Sequence, residues 1–161
     1  MSTRATYILA AAVILGSAAR TFGSELALGS AAAQPGQTIT VPVTYTPKGD
    51  ATAAALTTDL RFDAKALSHP RCESGSALTG GEQAGKTVKC VERQPGMLRL
   101  LVYGLNLGPV PAGEIARVSF DVAAGARPRS YRLRHRATAA DANGNDFTLR
   151  HRDGTVRVGG R

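Results

Sequence analysis

Residues 38–45 read Thr-Ile-Thr-Val-Pro-Val-Thr-Tyr, and every second side chain in this stretch is apolar. Successive side chains of a β-strand point to opposite faces, so Ile39, Val41, Val43 and Tyr45 share one face. Pro42 has no backbone N–H to donate, and we therefore expect a sheet edge or a bulge at this residue. The stretch predicts a β-strand that buries one face.

The same period of two recurs along the chain between turns rich in Gly, Pro, Asn and Asp, and we find no convincing amphipathic helix. The pattern predicts strands at Glu25–Ala31, Gln37–Thr46, Ala53–Phe62, Ala66–His69, Lys86–Arg93, Met97–Tyr103, Gly113–Val122, Ser130–Ala137, Phe147–His151 and Gly154–Val158. Because each strand has one apolar face, two sheets must meet face to face. The sequence predicts an all-β sandwich.

The amino terminus has the pattern of a secretory signal peptide. Arg4 precedes the apolar run Tyr7–Leu15, and small residues follow it up to Gly23. The run is shorter than the roughly 20 apolar residues that span a bilayer. We expect residues 1–23 to be a signal peptide and residues 24–161 to be one secreted domain with no membrane span. An uncleaved anchor is the alternative.

The composition argues against catalysis. The chain of 161 residues has three His, two Cys and no Trp, and 20 Lys and Arg against 12 Asp and Glu give it a net charge of +8. It lacks a Gly-x-Ser-x-Gly elbow, a His-Glu-x-x-His motif and a phosphate-binding Gly loop. His135 and His151 are in phase with apolar residues, which favours semi-buried structural roles. We predict a non-enzyme that works by binding.

Cys72 and Cys90 are the only cysteines, and both follow the signal segment. An oxidising compartment would allow them to form a disulfide that closes a Gly-rich excursion. Two free thiols are the alternative. We favour the disulfide, since an exposed thiol is a liability in a secreted protein.

Four stretches resemble the cohesin domain family in their order and spacing. They are Gln34–Val43, Leu60–Leu67, Gly113–Val122 and the closing hairpin and last strand, Ala140–Phe147 and Asp153–Val158. The resemblance covers nearly everything after the signal segment. It implies a jelly-roll sandwich of about nine strands, in a superfamily shared with cellulose-binding modules. It also implies a partner, because known cohesins bind dockerin modules in polysaccharide-degrading assemblies.

One departure from the family pattern concerns the partner. In dockerin-binding cohesins, the strand that precedes the element matched here by Leu60–Leu67 commonly presents an Asn and an Asp two residues apart. The matching residues here are Ala55 and Thr57, which lack those acceptors. The resemblance therefore implies the fold more strongly than it implies the usual partner.

Arginines alternate with apolar residues in two neighbouring segments. If the loop at Asn143 joins these segments as a hairpin, one sheet surface carries five guanidinium groups: Arg132, Arg134, Arg136, Arg150 and Arg152. Such a surface would attract an acidic polysaccharide or an acidic protein partner. A merely solvated charged face is the alternative. Nucleic acid is disfavoured, because no aromatic residues are interleaved for base stacking.

Asp141, Asn143 and Asn145 place oxygen ligands at alternate positions, as a calcium loop begins. The sixth and twelfth positions of such a loop are Asp146 and Arg152, where an EF-hand needs Gly and an acidic ligand. We therefore interpret the segment as a hairpin turn, and we expect no metal or cofactor. Adventitious calcium binding at Asp141, Asn143 and Asn145 is the alternative.

The functional prediction is a secreted, non-catalytic module that docks a dockerin-like protein. Direct binding of an acidic glycan is the alternative, and a structural envelope or adhesion domain without a dedicated ligand is a third reading.

Overall fold

The computed structural model describes residues 23–79 and 85–159, which form twelve strands and one 3₁₀ turn, Ser76–Leu78. The strands are β1 Glu25–Leu28, β2 Ser30–Ala33, β3 Thr38–Thr46, β4 Ala55–Arg61, β5 Leu67–Ser74, β6 Lys86–Gln94, β7 Met97–Gly104, β8 Gly113–Val122, β9 Arg129–Ala140, β10 Asp146–Thr148, β11 Arg150–Arg152 and β12 Gly154–Val158. The predicted signal segment lies outside the described residues except for Gly23.

The strands form two sheets packed face to face, as predicted. One sheet has the order β11-β1-β3-β8-β5, and the other has the order β2-β12-β9-β4-β7-β6 with β10 also paired to β9. All pairs are antiparallel except β1 with β11 and β2 with β12. Within the described ranges no helix is long and apolar enough to cross a membrane.

Twelve strands form instead of about nine partly because two predicted strands change sheets midway. At Gly29 the chain passes from β1 to β2, and at Leu149 it passes from β10 to β11. A Cβ on Gly29 would lie 2.6 Å from Pro42 Cγ, so this close crossing requires glycine. The prediction at Pro42 is confirmed: β1 leaves its sheet opposite this residue, and the register with β8 shifts directly after Val43.

The core lies between the two sheets and follows the predicted alternation. Ile39, Val41, Val43 and Tyr45 are all buried, with exposed fractions between 0 and 6%. Across the sandwich, the rings of Phe62 and Phe120 pack with centroids 4.9 Å apart. Burial of these inward faces is the main force that holds the sheets together.

The predicted disulfide is confirmed: Cys72 is bonded to Cys90, with Cα atoms 6.0 Å apart. Cys72 lies on β5, at the edge of one sheet, and Cys90 lies on β6, at the edge of the other. The bond therefore links the two sheets along one side of the sandwich.

Candidate functional site

The outward side of β9, β4, β7 and β6 forms a broad surface, which we call the outer face. Burial alternates along these strands, so Leu56, Leu60, Leu98 and Leu100 are buried while their neighbours point outward. The outward residues are Arg134, Arg136 and Thr138 on β9; Ala55, Thr57, Asp59 and Arg61 on β4; Met97, Arg99, Leu101 and Tyr103 on β7; and Thr87, Lys89 and Val91 on β6.

An ion pair lies at the centre of the outer face. Arg99 donates from Nε to Asp59 Oδ1 and from Nη2 to Asp59 Oδ2, both at 2.7 Å. These hydrogen bonds from Arg99 lower the pKa of Asp59 below its usual value, and the charges of Arg93 and Arg61 contribute at longer range. On the other side of Asp59 its register partner is Arg136. Arg136, Asp59 and Arg99 therefore form a row across β9, β4 and β7 in which the sign of the charge alternates.

The two positions singled out by the resemblance lie on β4 of the outer face. Thr57 stands between Thr138 on β9 and Leu101 on β7, and Ala55 is opposite Ala140. A hydroxyl and a methyl group replace two strong acceptors here. The carboxylate on this strand is instead Asp59, which Arg99 already engages.

Apolar side chains are exposed at one end of the outer face. Leu105 and Leu107, in the loop after β7, are 109% and 71% exposed, and Tyr103 at the end of β7 is 43% exposed. Val91, which pairs with Arg99 in the central row, is 40% exposed. These four are the large apolar residues that stand exposed within residues 23–79 and 85–159. Such a patch on a small domain is typical of a contact surface for another molecule.

Lys86 holds the apolar loop in place. Its side chain is buried, and Nζ donates to the carbonyl oxygens of Ala54 at 2.8 Å and Asn106 at 3.1 Å. Burial lowers the pKa of Lys86 below its usual 10.5. Because Asn106 lies between Leu105 and Leu107, this lysine ties both leucines to the start of β4.

A cleft opens where β9 loses its outer neighbour. β10 pairs with β9 only from Thr138 onward, and β12 pairs with it only up to Leu133, so residues 134–137 have no strand on this side. Between β10 and β12 the chain crosses to the other sheet as β11. The crossing leaves an open depression of about 560 Å³.

Arginine, histidine and aspartate side chains line this depression, which we call the basic cleft. They are Arg61, Arg134, Arg136, His135, His151, Asp59 and Asp153. Asp153 accepts hydrogen bonds from Arg132 Nε at 3.0 Å and from the backbone N–H of His135 at 3.2 Å. Both cleft carboxylates are thus engaged, whereas Arg61, Arg134 and Arg136 form no salt bridge with any residue of the described ranges.

His135 lies beneath the cleft floor and is only 3% exposed, as its predicted inward position requires. Nε2 lies 3.2 Å from the carbonyl oxygen of Arg152, and Nδ1 lies 3.0 Å from the hydroxyl of Thr58. A carbonyl can only accept, so Nε2 carries the proton in the neutral ring. Burial lowers the pKa of His135 from its usual value.

The predicted inward position of His151 is wrong. The side chain is exposed, and its ring meets that of His135 edge to face with centroids 5.6 Å apart. The change of sheet at Leu149 breaks the alternation that began at Phe147, because β11 is an edge strand whose three residues are all exposed.

The five predicted arginines do not share one sheet surface, because β10 pairs with β9 but β11 pairs with β1. Arg134 and Arg136 line the basic cleft. Arg132 and Arg152 line a neighbouring depression of about 490 Å³, which His151 and Asp153 separate from the cleft. Arg152 also lies 3.9 Å from a carboxylate oxygen of Glu25. Arg150 is on β11, outside both linings.

The sequence prediction missed Arg61, Arg99 and the apolar loop. The alternation along β4 was enough to predict that Arg61 points outward, but its position opposite Arg134 depends on strand pairing. Leu105 and Leu107 carried a local signal, since two leucines in a loop rich in Gly and Pro have no core to enter.

The hairpin prediction for the Asp141 loop is confirmed. β9 and β10 pair antiparallel across it, and Gly144 has a φ of +84°, which favours glycine. Asp141 Oδ1 accepts from the backbone N–H groups of Asn143 at 2.8 Å and Asn145 at 2.9 Å. The loop therefore uses this carboxylate for its own turn. No group of three or more metal-ligating side chains occurs within residues 23–79 and 85–159.

The family model of the cohesin domain matches residues 24–158, which is most of the chain. The chain belongs to the cohesin domain family. This membership confirms the resemblance seen in the sequence. No protein with a curated description matches the chain.

Solved cohesin structures share the fold of this chain. The sixth cohesin of scaffoldin B from Acetivibrio cellulolyticus, in complex with a dockerin, is 17% identical, with a TM-score of 0.70 over 84% of this chain and 99% of that one. A type I cohesin–dockerin complex from Clostridium thermocellum gives 18% identity and a TM-score of 0.69, with coverage of 84% and 99%. A non-cellulosomal cohesin from the archaeon Archaeoglobus fulgidus is 21% identical, with a TM-score of 0.66 over 84% of this chain and 91% of that one.

Proposed function

We propose that this cohesin domain is a non-catalytic docking module that binds a dockerin-like protein through its outer face. Membership of the family over residues 24–158 carries this proposal, together with the similar cohesins whose structures contain dockerins. The outer face is the surface that suits a protein partner, because it is broad and carries exposed apolar residues at one end. Buried apolar anchors supply most of the energy of a protein interface.

Recognition differs in detail from the pattern that the family resemblance implies. With Ala55 and Thr57 in place of an Asn and an Asp, β4 offers no free carboxylate or amide to the partner. The anchors are instead the apolar end around Leu105 and Leu107 and the charged row through Asp59. The partner is therefore a dockerin-like module with its own matching surface rather than a dockerin of the usual type.

The proposed setting is extracellular. Two features support it: the signal-peptide pattern of residues 1–23 and the disulfide between Cys72 and Cys90, which is typical of oxidising compartments. An assembly that degrades polysaccharide is the context that the family suggests.

Isothermal titration of the purified protein against the dockerin modules encoded by the same organism tests the docking function. We expect 1:1 binding to at least one module with a Kd of about 1 μM or tighter. If every module fails to bind below about 100 μM, the docking proposal is wrong.

A second candidate function is direct binding of an acidic polysaccharide, which the arginines of the basic cleft would attract by their charge. Affinity electrophoresis in gels that contain charged or neutral polysaccharides tests it. Retardation only by the charged polymers supports this function, and unchanged mobility in all gels removes it.

A further inference from the structure

The basic cleft has more positive charge than its own carboxylates neutralise. Arg99 engages Asp59, and Arg132 engages Asp153, so each of these acids has a partner. Arg61 acts on Asp59 only at a distance, and Arg134 and Arg136 form no salt bridge with the described residues. Three guanidinium groups therefore border one depression and have donors available for a ligand.

The placement of these arginines suits a carboxylate. Arg61 and Arg134 are register partners on adjacent strands, and Arg136 is two residues further along β9 on the same side. A guanidinium group presents paired N–H donors that match the two oxygens of a carboxylate. Because the cleft is a gap in the sheet rather than a flat surface, a short acidic side chain can enter it.

We propose that the basic cleft is a subsite for acidic side chains of a polypeptide partner. This inference rests on the proposed docking function and names the chemistry of the partner: a cluster of Asp or Glu residues at the far end of its binding surface from the apolar part that covers Leu105 and Leu107. Arg136 lies in the same row as Asp59 and Arg99 at the centre of the outer face, so a protein bound there also covers the cleft.

The lining favours a polypeptide over an acidic glycan. No Tyr, Phe or Trp borders the cleft, and its only rings are the imidazoles of buried His135 and exposed His151, which meet edge to face. Sugar rings usually pack on an aromatic side chain, whereas a carboxylate needs only the guanidinium donors.

Titration of the full protein with a hexaglutamate peptide, followed by NMR, tests the subsite. We expect one binding site, with the largest shifts at the side-chain Nε–H signals of Arg134 and Arg136, and weaker binding at higher salt. The Arg134→Ala/Arg136→Ala variant should lose at least about tenfold in affinity.

Arg157→Ala provides a matched control. Arg157 is an exposed arginine on β12 of the same sheet, at the register of Ser130, away from the cleft. Its loss lowers the net charge by one, and we expect hexaglutamate affinity to change by less than about twofold. Equal losses for Arg157→Ala and for Arg134→Ala alone would show attraction by net charge only and would overturn the subsite. Thermal melts establish that each variant is folded.

The outcomes separate the subsite from the docking function. If dockerin modules bind while hexaglutamate does not, the subsite is wrong and the docking function stands. If hexaglutamate binds in the cleft while no dockerin module binds, the docking function is wrong and the cleft remains an anion site. Tighter binding of hexagalacturonate than of hexaglutamate would overturn the assignment to a polypeptide.

Discussion

Cys72 and Cys90 are bonded across the side of the sandwich where the edge strands of its two sheets, β5 and β6, run beside each other. The bond closes a sequence separation of 18 residues that includes the 3₁₀ turn and the connection between the sheets. It therefore restrains the unfolded chain and also holds one open side of the folded protein.

We expect the Cys72→Ala/Cys90→Ala variant to lose about 3 kcal/mol of unfolding free energy. Without the cross-link the unfolded chain has more conformational entropy, which folding must then overcome. Urea denaturation of the variant and of the oxidised protein measures the difference. Reduction of the wild-type protein should give a similar loss. An unchanged midpoint in both experiments would contradict a stabilising role.

Phe120→Ala should destabilise the protein by about 3–5 kcal/mol. Phe120 is fully buried and packs against Phe62 between the sheets, so the substitution leaves a cavity that rigid strands cannot close. Val91→Ala, at an exposed apolar residue, is the control and should change stability little. Chemical denaturation compares the two, and equal effects would refute this account of the core.

Stability should fall as the pH drops below about 6.5 because of His135. Burial lowers the pKa of His135 from its usual 6.5, so the unfolded chain takes up this proton at a higher pH than the folded protein does. The loss continues until the pH passes the lowered pKa of the folded state. The charges near the ring are Asp153, which opposes the shift, and His151, which adds to it.

Urea midpoints between pH 7.5 and 5 measure this dependence. His135→Gln should flatten it, whereas His151→Gln, at the exposed ring, should leave most of it in place. If the pH dependence of stability persists in full in His135→Gln, another titratable group causes it.

A second acid-sensitive group lies on the opposite side of the protein. Asp121 accepts hydrogen bonds from Arg71, Thr38 and His69, and they lower its pKa from 3.8 to about 2, with Arg71 the largest cause. Its contribution to stability is complete above the unfolded value near 3.8 and disappears as the pH falls through about 2. Asp121→Asn should therefore lose stability less steeply between pH 4 and pH 2, which acid titration by circular dichroism tests.

Leu107→Ser should weaken dockerin binding by about tenfold or more while the melting temperature stays unchanged. Leu107 is 71% exposed, so its side chain contributes to a bound complex rather than to the folded core. Thr40→Ala, on the outward side of the other sheet, is the control and should retain full affinity. If Leu107→Ser retains it as well, the apolar end is not part of the interface.

Local pattern was sufficient to predict most strands and the inward faces, because side-chain alternation in a strand depends only on the backbone. It was also sufficient for the turn at Gly144 and for the inward position of His135. The shortest predicted strand, Ala66–His69, extends to Ser74 in β5 because a bulge at His69 and Pro70 lets the pairing with β8 resume at Arg71.

Tertiary structure alone decided which strands are neighbours. The sequence placed Arg150 and Arg152 beside Arg134 and Arg136, but the chain changes sheets at Leu149 and carries the first two away. The same crossing opens the basic cleft, and the pairing of β4 with β9 brings Arg61, from a strand some 70 residues earlier, next to Arg134. Such pairings depend on the burial of whole sheets against each other, a long-range energy that no local stretch of sequence contains.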